Sequence, residues 1–258
     1  ATPVMPVPRG ALVADTLADF AAVDDSLVFP RGAAPEIKNV TQVGPRTFRC
    51  LLRHRGNPWS PLNPGGVKGA WYDGDRTLEW NEGKRDGAYH DKSRAEMSGL
   101  HGVGQARDLL VPGTTWDIAT TVRLDPSFVP GNGYCNLMQP VFDQSFFTLT
   151  GISGDLVTAQ LMVFESGIGS RTKVARQFTI RRGEWTSVVV RVKFGPRGMY
   201  QCSVNGDAFR GIRIDTSHAR RPAGTKWGLY TTATTDVRGK PMRDTAVYHR
   251  DVYLCKVA

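Results

Sequence analysis

The chain has 258 residues, enough for one large β domain or two ordinary ones, and long enough to bury a core without a metal or many disulfides. Lys and Arg outnumber Asp and Glu by 33 to 24, a formal charge of +9 that favours an anionic partner such as nucleic acid, an acidic membrane or an acidic polysaccharide. The basic residues are spread out with no Lys/Arg-rich tail or basic helix, which argues against nucleic acid, and no apolar run is long enough to span a bilayer.

In chain order, the first ten residues hold three prolines and read as an extended lead-in. Ala14 to Val23 has apolar residues at helical spacing and suggests a short helix. We therefore expect a lead-in over 1–35 and a single β domain over 36–258. Asn39-Val40-Thr41 is a formal glycosylation sequon, and Asp73-Gly74-Asp75 reads as a turn rather than a calcium site.

Ala88-Tyr89-His90-Asp91-Lys92-Ser93-Arg94-Ala95-Glu96-Met97 places an imidazole, a guanidinium and a carboxylate along a predicted strand. Side chains alternate between faces, so Arg94 and Glu96 point the same way, joined by His90 if the strand extends back. A cation beside a proton acceptor suits chemistry on a sugar carboxylate. The plainer alternative is an Arg–Glu pair across a solvated strand.

Farther along, Thr115 to Leu124, Phe146 to Thr150, Leu156 to Phe164 and Thr186 to Phe194 are rich in β-branched and aromatic residues between Gly, Pro, Asn and Asp. In Thr186–Phe194 the even positions are mostly apolar while Arg191 and Lys193 face the other side, the pattern of a half-buried antiparallel strand. Asn205-Gly206 predicts a type I′ hairpin turn after Met199–Val204. The last strand, Val247 to Val257, would put Val247, His249, Asp251, Tyr253 and Cys255 on one face. Many short strands with almost no helix predict an all-β antiparallel β-sandwich or jelly roll.

Two strands carry further polar candidates. Gln139 interrupts the apolar run Asn136–Phe142, either as a core amide satisfied by backbone or as a donor facing a groove. Lys226-Trp227-Gly228-Leu229-Tyr230 puts Lys226 and Tyr230 on one face with open space at Gly228, as in a groove-lining strand or a solvated edge strand. His54 and His101 read as loop residues, and His249 as a supporting or convex-face residue. Cys50, Cys135, Cys202 and Cys255 contain no CxxC, so a zinc site is not expected; two disulfides and four free thiols both remain open. No Gly-x-Ser-x-Gly elbow, P-loop or His-Glu-x-x-His helix is present, and no carboxylate pair of a retaining glycosidase stands out.

Taken in order, the Arg94-x-Glu96 strand, the Gln139 strand, the Gly183-Glu184-Trp185 lead into a long strand, the Val204-Asn205-Gly206 hairpin and Lys226-x-Gly228-x-Tyr230 resemble the jelly-roll polysaccharide lyases. The resemblance covers about Gly69 to the C-terminus. It is nearest to glucuronan lyase and heparin lyase I, and more distant to alginate lyases. It implies a concave substrate groove that cleaves a uronic-acid polymer by β-elimination, with Tyr230 as the catalytic tyrosine and Arg94 and Gln139 holding the sugar carboxylate. Those families often carry Gln-x-His where this chain has Gln139-Pro140-Val141, so His90 is the available substitute for the missing base. Lys226, Glu96 and Lys92 are the expected substrate contacts beside them.

The chemistry asks for these residue types. Cations and hydrogen bonds on the uronate carboxylate stabilise the enolate-like intermediate, Arg94 in bidentate fashion and Gln139 as a neutral donor. His90 has an intrinsic pKa suited to a general base near neutrality. Tyr230 can protonate the departing oxygen, and with an unperturbed pKa of about 10 it serves as base only if cations such as Lys226 lower that value.

The expected activity is thus an endo-acting lyase on glucuronan or alginate, without metal or organic cofactor. Its partner is the anionic polysaccharide, with no nucleic acid or membrane partner, and the chain is expected to be a monomer. A start at Ala1 rather than Met is what signal-peptide removal or trimming would each give, and a secreted or periplasmic location is the expectation. The rival readings are a non-catalytic carbohydrate-binding sandwich and a glycoside hydrolase of similar architecture.

Overall fold

The computed structural model describes residues 5–24, 40–52, 71–73, 76–78, 93–101, 111–141, 144–167, 170–218, 225–231, 233 and 235–257, with the side chains at 22, 24, 71–73, 76–78, 93 and 94 left aside. Asn39, His54, Gly74, Asp75, His90 and Lys92 lie outside the described residues.

Two antiparallel sheets face each other. With strands numbered along the chain, the first runs β15 (Arg210–Arg213), β14 (Met199–Val204), β13 (Trp185–Lys193), β8 (Thr115–Leu124), β17 (Thr245–Val257), β4 (Thr47–Leu52) and β3 (Val40–Gly44), with β1 (Leu12–Val13) also paired to β17. The second runs β12 (Thr172–Arg181), β11 (Leu156–Phe164), β10 (Ser145–Ser153), β9 (Cys135–Gln139), β16 (Lys226–Thr231), β7 (Ser93–Ser98) and β2 (Ala22–Asp24). A separate pair joins β5 (Trp71–Asp73) to β6 (Arg76–Leu78). This is the all-β jelly-roll sandwich that the strand pattern predicted. Among the described residues no helix is long and apolar enough to cross a membrane.

Alternation explains why the sheets close on each other. Val188, Val190 and Val192 of β13, Ile118, Val122 and Leu124 of β8, and Trp227 and Leu229 of β16 all enter one core cluster with Phe48, Met97, Met138 and Phe147. Each fully buried large apolar side chain contributes about 1.5–3 kcal/mol over its exposed state. Phe20 wedges edge-on against Phe48 of one sheet and Trp227 of the other, at centroid distances of 5.3 and 6.1 Å.

Local chemistry decides several details. Asn205 and Gly206 take φ of 50° and 80°, the two positive values that a type I′ turn needs, although the returning strand resumes only at Arg210. Where helical spacing suggested a helix over 14–23, there is a 3₁₀ turn at Leu17–Asp19. The Asp19 carboxylate accepts the backbone N–H groups of Asp15 and Thr16 at 2.8 Å, and the chain then leaves to pair as β2. The four cysteines are free thiols, and burial pushes those of Cys135 and Cys202 up to about 12.

The last strand departs from strict alternation. Asp251 takes φ of 49° and the register against β8 shifts between Arg250 and Tyr253. This bulge turns Val252 and Leu254 into the core beside Val247, and puts Tyr253 and Cys255 on the opposite face. His249, expected on the convex face or in a supporting place, is fully buried between the sheets.

Candidate functional site

The site residues gather on the outer face of the second sheet, where β9, β16 and β7 lie side by side. Because Trp227 and Leu229 point into the core, Lys226, Gly228 and Tyr230 face outward. Cross-strand register then sets their neighbours. Tyr230 stands opposite Arg94 on β7 and Asn136 on β9, Gly228 stands opposite Glu96, and Lys226 stands opposite Gln139. Strand β16 is central in its sheet and Lys226 is buried, so the solvated-edge reading of this strand does not hold.

Gly228 is required by the backbone. Its φ is 152°, and an added Cβ would lie 2.1 Å from the Ala95 carbonyl oxygen and 2.6 Å from Cα of Glu96. The Gln139 amide on β9 reaches across β16 and donates to the Glu96 carboxylate on β7, Nε2 to Oε1 at 2.7 Å. Both residues are about 1% exposed, which rules out the solvated-strand reading of Glu96 and the backbone-satisfied reading of Gln139. A buried carboxylate needs donors, and an amide is a neutral one.

Asn136 is the residue that sequence reasoning passed over. It is fully buried, and neither its Oδ1 nor its Nδ2 has a hydrogen-bond partner among the described residues. Asn136 and Gln139 are three apart, so alternation alone would put them on opposite faces. Between Trp227 and Tyr230 the register against β9 shifts, and two residues of β16 stand against one of β9. That bulge brings Asn136 and Gln139 to one face, beside Tyr230 and Lys226 respectively. The available signal was an Asn inside an apolar run.

Behind the site, His249 ties the two sheets together. Its Nε2 donates to the Gly228 carbonyl at 3.0 Å, and its Nδ1 accepts from the Thr120 hydroxyl at 2.9 Å. A carbonyl can only accept, so the proton sits on Nε2. Burial lowers the imidazole pKa to about 4, only partly opposed by the bond to Gly228, so the ring is neutral at ordinary pH. His249 is thus a positioning group for the glycine over which Gln139 and Glu96 meet. Of the expected set, the structure brings Tyr230, Gln139, Glu96, Lys226 and the backbone of Arg94 to one patch. Among the described residues no group of three His, Cys, Asp or Glu could hold a metal.

No family model matches the sequence, and no curated protein matches it. Among solved structures, the chain is similar to an endo-β-1,4-glucuronan lyase from the fungus Trichoderma reesei, at 13% identity and a TM-score of 0.50 over 92% of this chain and 91% of that one. A GH131 β-glucanase catalytic domain from Podospora anserina matches at 14% identity and 0.45 over 82% of this chain and 72% of that one. The binding domain of botulinum neurotoxin serotype C1 matches at 12% identity and 0.46, over 84% of this chain and 41% of that one. At 13% identity the likeness to the lyase shows a shared fold, the jelly-roll sandwich, and leaves the activity to be argued from the site.

Proposed function

We propose that the chain is a lyase that cleaves a uronic-acid polysaccharide by β-elimination, with a β-1,4-linked polyglucuronate or alginate as substrate. The observation that carries this reading is one outward patch holding a tyrosine, a lysine, a bonded Gln–Glu pair and a buried asparagine whose side chain has no hydrogen-bond partner among the described residues. Such a patch offers neutral and cationic donors to a carboxylate and a hydroxyl to a leaving oxygen. The shared fold with an endo-β-1,4-glucuronan lyase supports the substrate class.

In this reading Arg94, Gln139 and Asn136 receive the uronate carboxylate, and Glu96 orients Gln139 through their mutual bond. A base, His90 or Tyr230, takes the proton from C5. Its electron pair moves into the carboxylate as an enolate-like dianion, which the donors stabilise. Collapse forms the C4=C5 double bond and breaks the C4–O4 bond, and Tyr230 gives its phenolic proton to O4. Lys226 and Lys92 contact neighbouring carboxylates along the polymer. The product end is a conjugated unsaturated uronate that absorbs in the near ultraviolet, whereas hydrolysis or simple binding makes no such chromophore. A panel of polyglucuronate, alginate, polygalacturonate and a neutral glucan, followed by that absorbance, tests the proposal. A rise on at least one polyuronate and none on the glucan is expected. Release of reducing ends without absorbance would instead establish a hydrolase, and binding without either would establish a carbohydrate-binding sandwich.

A further inference from the structure

The outer face of the first sheet carries a second set of side chains unrelated to the candidate site. Four residues stand in cross-strand register across neighbouring strands: Trp185 of β13, Arg123 of β8, Tyr248 of β17 and Arg49 of β4. They face away from the core, because Val122, Leu124, Val247, Phe48 and Cys50 beside them point into it. All four are partly exposed. The Arg123 guanidinium carbon lies 4.8 Å from the Trp185 ring centre and 4.5 Å from that of Tyr248. Arg250, one row along, lies 4.4 Å from the same Trp185 ring.

This arrangement differs from the other arginine–aromatic contact on the same face. There Arg191 lies 3.9 Å from the Phe209 ring and makes a two-point bond to Asp117 at 2.7 and 2.8 Å, so its charge is spent internally. In the Trp185–Arg49 row, Arg123 and Arg49 form no ion pair among the described residues, and Arg250 has only the Asp251 carboxylate at 3.4 Å. Three guanidiniums therefore face one carboxylate. Arg123, held over the Trp185 and Tyr248 rings with no ion pair among the described residues, keeps guanidinium N–H donors for an anion. Arg123 and Arg49 are two strands apart, about 10 Å at normal strand spacing.

We infer that this row is a secondary binding site for a carboxylate-bearing polysaccharide, which it would hold across the strands by guanidinium–carboxylate pairs. The polymer class rests on the reading under Proposed function. The row itself argues for a spaced polyanion rather than a nucleic acid, since its aromatic faces are covered by guanidiniums and are not offered to bases. Binding here would keep a chain attached while the opposite face works on another stretch of it.

The test is affinity electrophoresis of the wild type and of Arg49→Gln/Arg123→Gln in gels containing polyglucuronate, a neutral glucan or duplex DNA. Turnover of a short oligouronide, which fills only the candidate site, is measured alongside. The wild type should be retarded by polyglucuronate and not by the glucan. The double variant should bind polyglucuronate roughly tenfold more weakly or worse, as expected for two lost charge-assisted pairs, with oligouronide turnover unchanged. If the double variant does not fold, Arg49→Gln alone, at a position without a stacking or ion-pair partner among the described residues, should still weaken retardation about threefold or more on the same basis. Unchanged retardation in whichever variant folds, no retardation of the wild type, or stronger retardation by DNA would overturn the inference. Oligouronide turnover judges the lyase reading separately, so either idea can fail without the other.

Discussion

The two outer faces of the sandwich treat polar groups in opposite ways. On the second sheet Asn136, Glu96, Gln139 and Lys226 are 0–5% exposed, and Asn136 has no hydrogen-bond partner among the described residues. On the first sheet Arg123, Arg49 and Arg250 stay partly exposed, and Arg123 and Arg250 lie over aromatic rings. A surface arginine costs the fold little. An unpartnered buried amide costs about 1–3 kcal/mol, which a folded chain retains only where something else offsets it. The contrast separates a face that buries its polar groups from one that leaves its cations partly open to solvent.

The largest effect should come from the backbone under the site. Gly228→Ala forces a Cβ into the Ala95 carbonyl at a φ that side chains rarely adopt, so β16 and β7 cannot keep their register. A loss of roughly 3 kcal/mol or more, consistent with combined backbone strain and overpacking, should appear in chemical denaturation. A Gly228→Ala protein of wild-type stability would mean that the close approach of the two strands is not real.

The two amides of β9 sharpen the comparison, because one is satisfied and the other is not. Gln139→Ala removes a donor from the buried Glu96 and should destabilise by about 1.5–3 kcal/mol while lowering activity. Asn136→Ala removes two unpartnered polar atoms, so its stability should be unchanged or higher even as uronate turnover falls. Equal destabilisation by both variants, read from urea midpoints, would show that Asn136 has a structural partner after all.

A smaller signal comes from His249. Its folded pKa of about 4 lies below the unfolded value of about 6.5, so between those pH values the unfolded chain binds the extra proton. The stability gained from keeping it neutral is fully present above about pH 6.5, and it falls by up to about 3 kcal/mol as pH drops to about 4. His249→Gln should flatten that limb of the stability–pH curve. An unchanged slope in the variant would assign the acid sensitivity to other groups.

Much of this architecture was legible from spacing. The bounds predicted for Thr115–Leu124 and Leu156–Phe164 match β8 and β11, and Asn205-Gly206 made the turn its φ angles require. Lys226, Gly228 and Tyr230 were placed on one face because β16 keeps strict alternation within itself. What was not legible depended on bulges. The positive φ at Asp251 reversed the faces of the last strand, and the register shift opposite Gly228 moved Asn136 to the site. A bulge changes the two-residue period by one, and no local composition at Leu137 or Arg250 announces it. The burial of His249 and its bond across to the other sheet were hidden for a different reason, since they depend on which strands stack and not on the strand itself.

The central claim, that the β9–β16–β7 face eliminates across a uronate linkage, is tested most directly at one oxygen. Tyr230→Phe removes the phenolic hydroxyl and leaves the ring in place. On the polyuronate that the wild type cleaves best, the initial rate of ultraviolet absorbance should fall by about 10²–10⁴-fold, the usual cost of a lost general acid or base, while the substrate dissociation constant stays nearly unchanged. A Tyr230→Phe protein that turns over at the wild-type rate would contradict the assignment of this face as the reacting site.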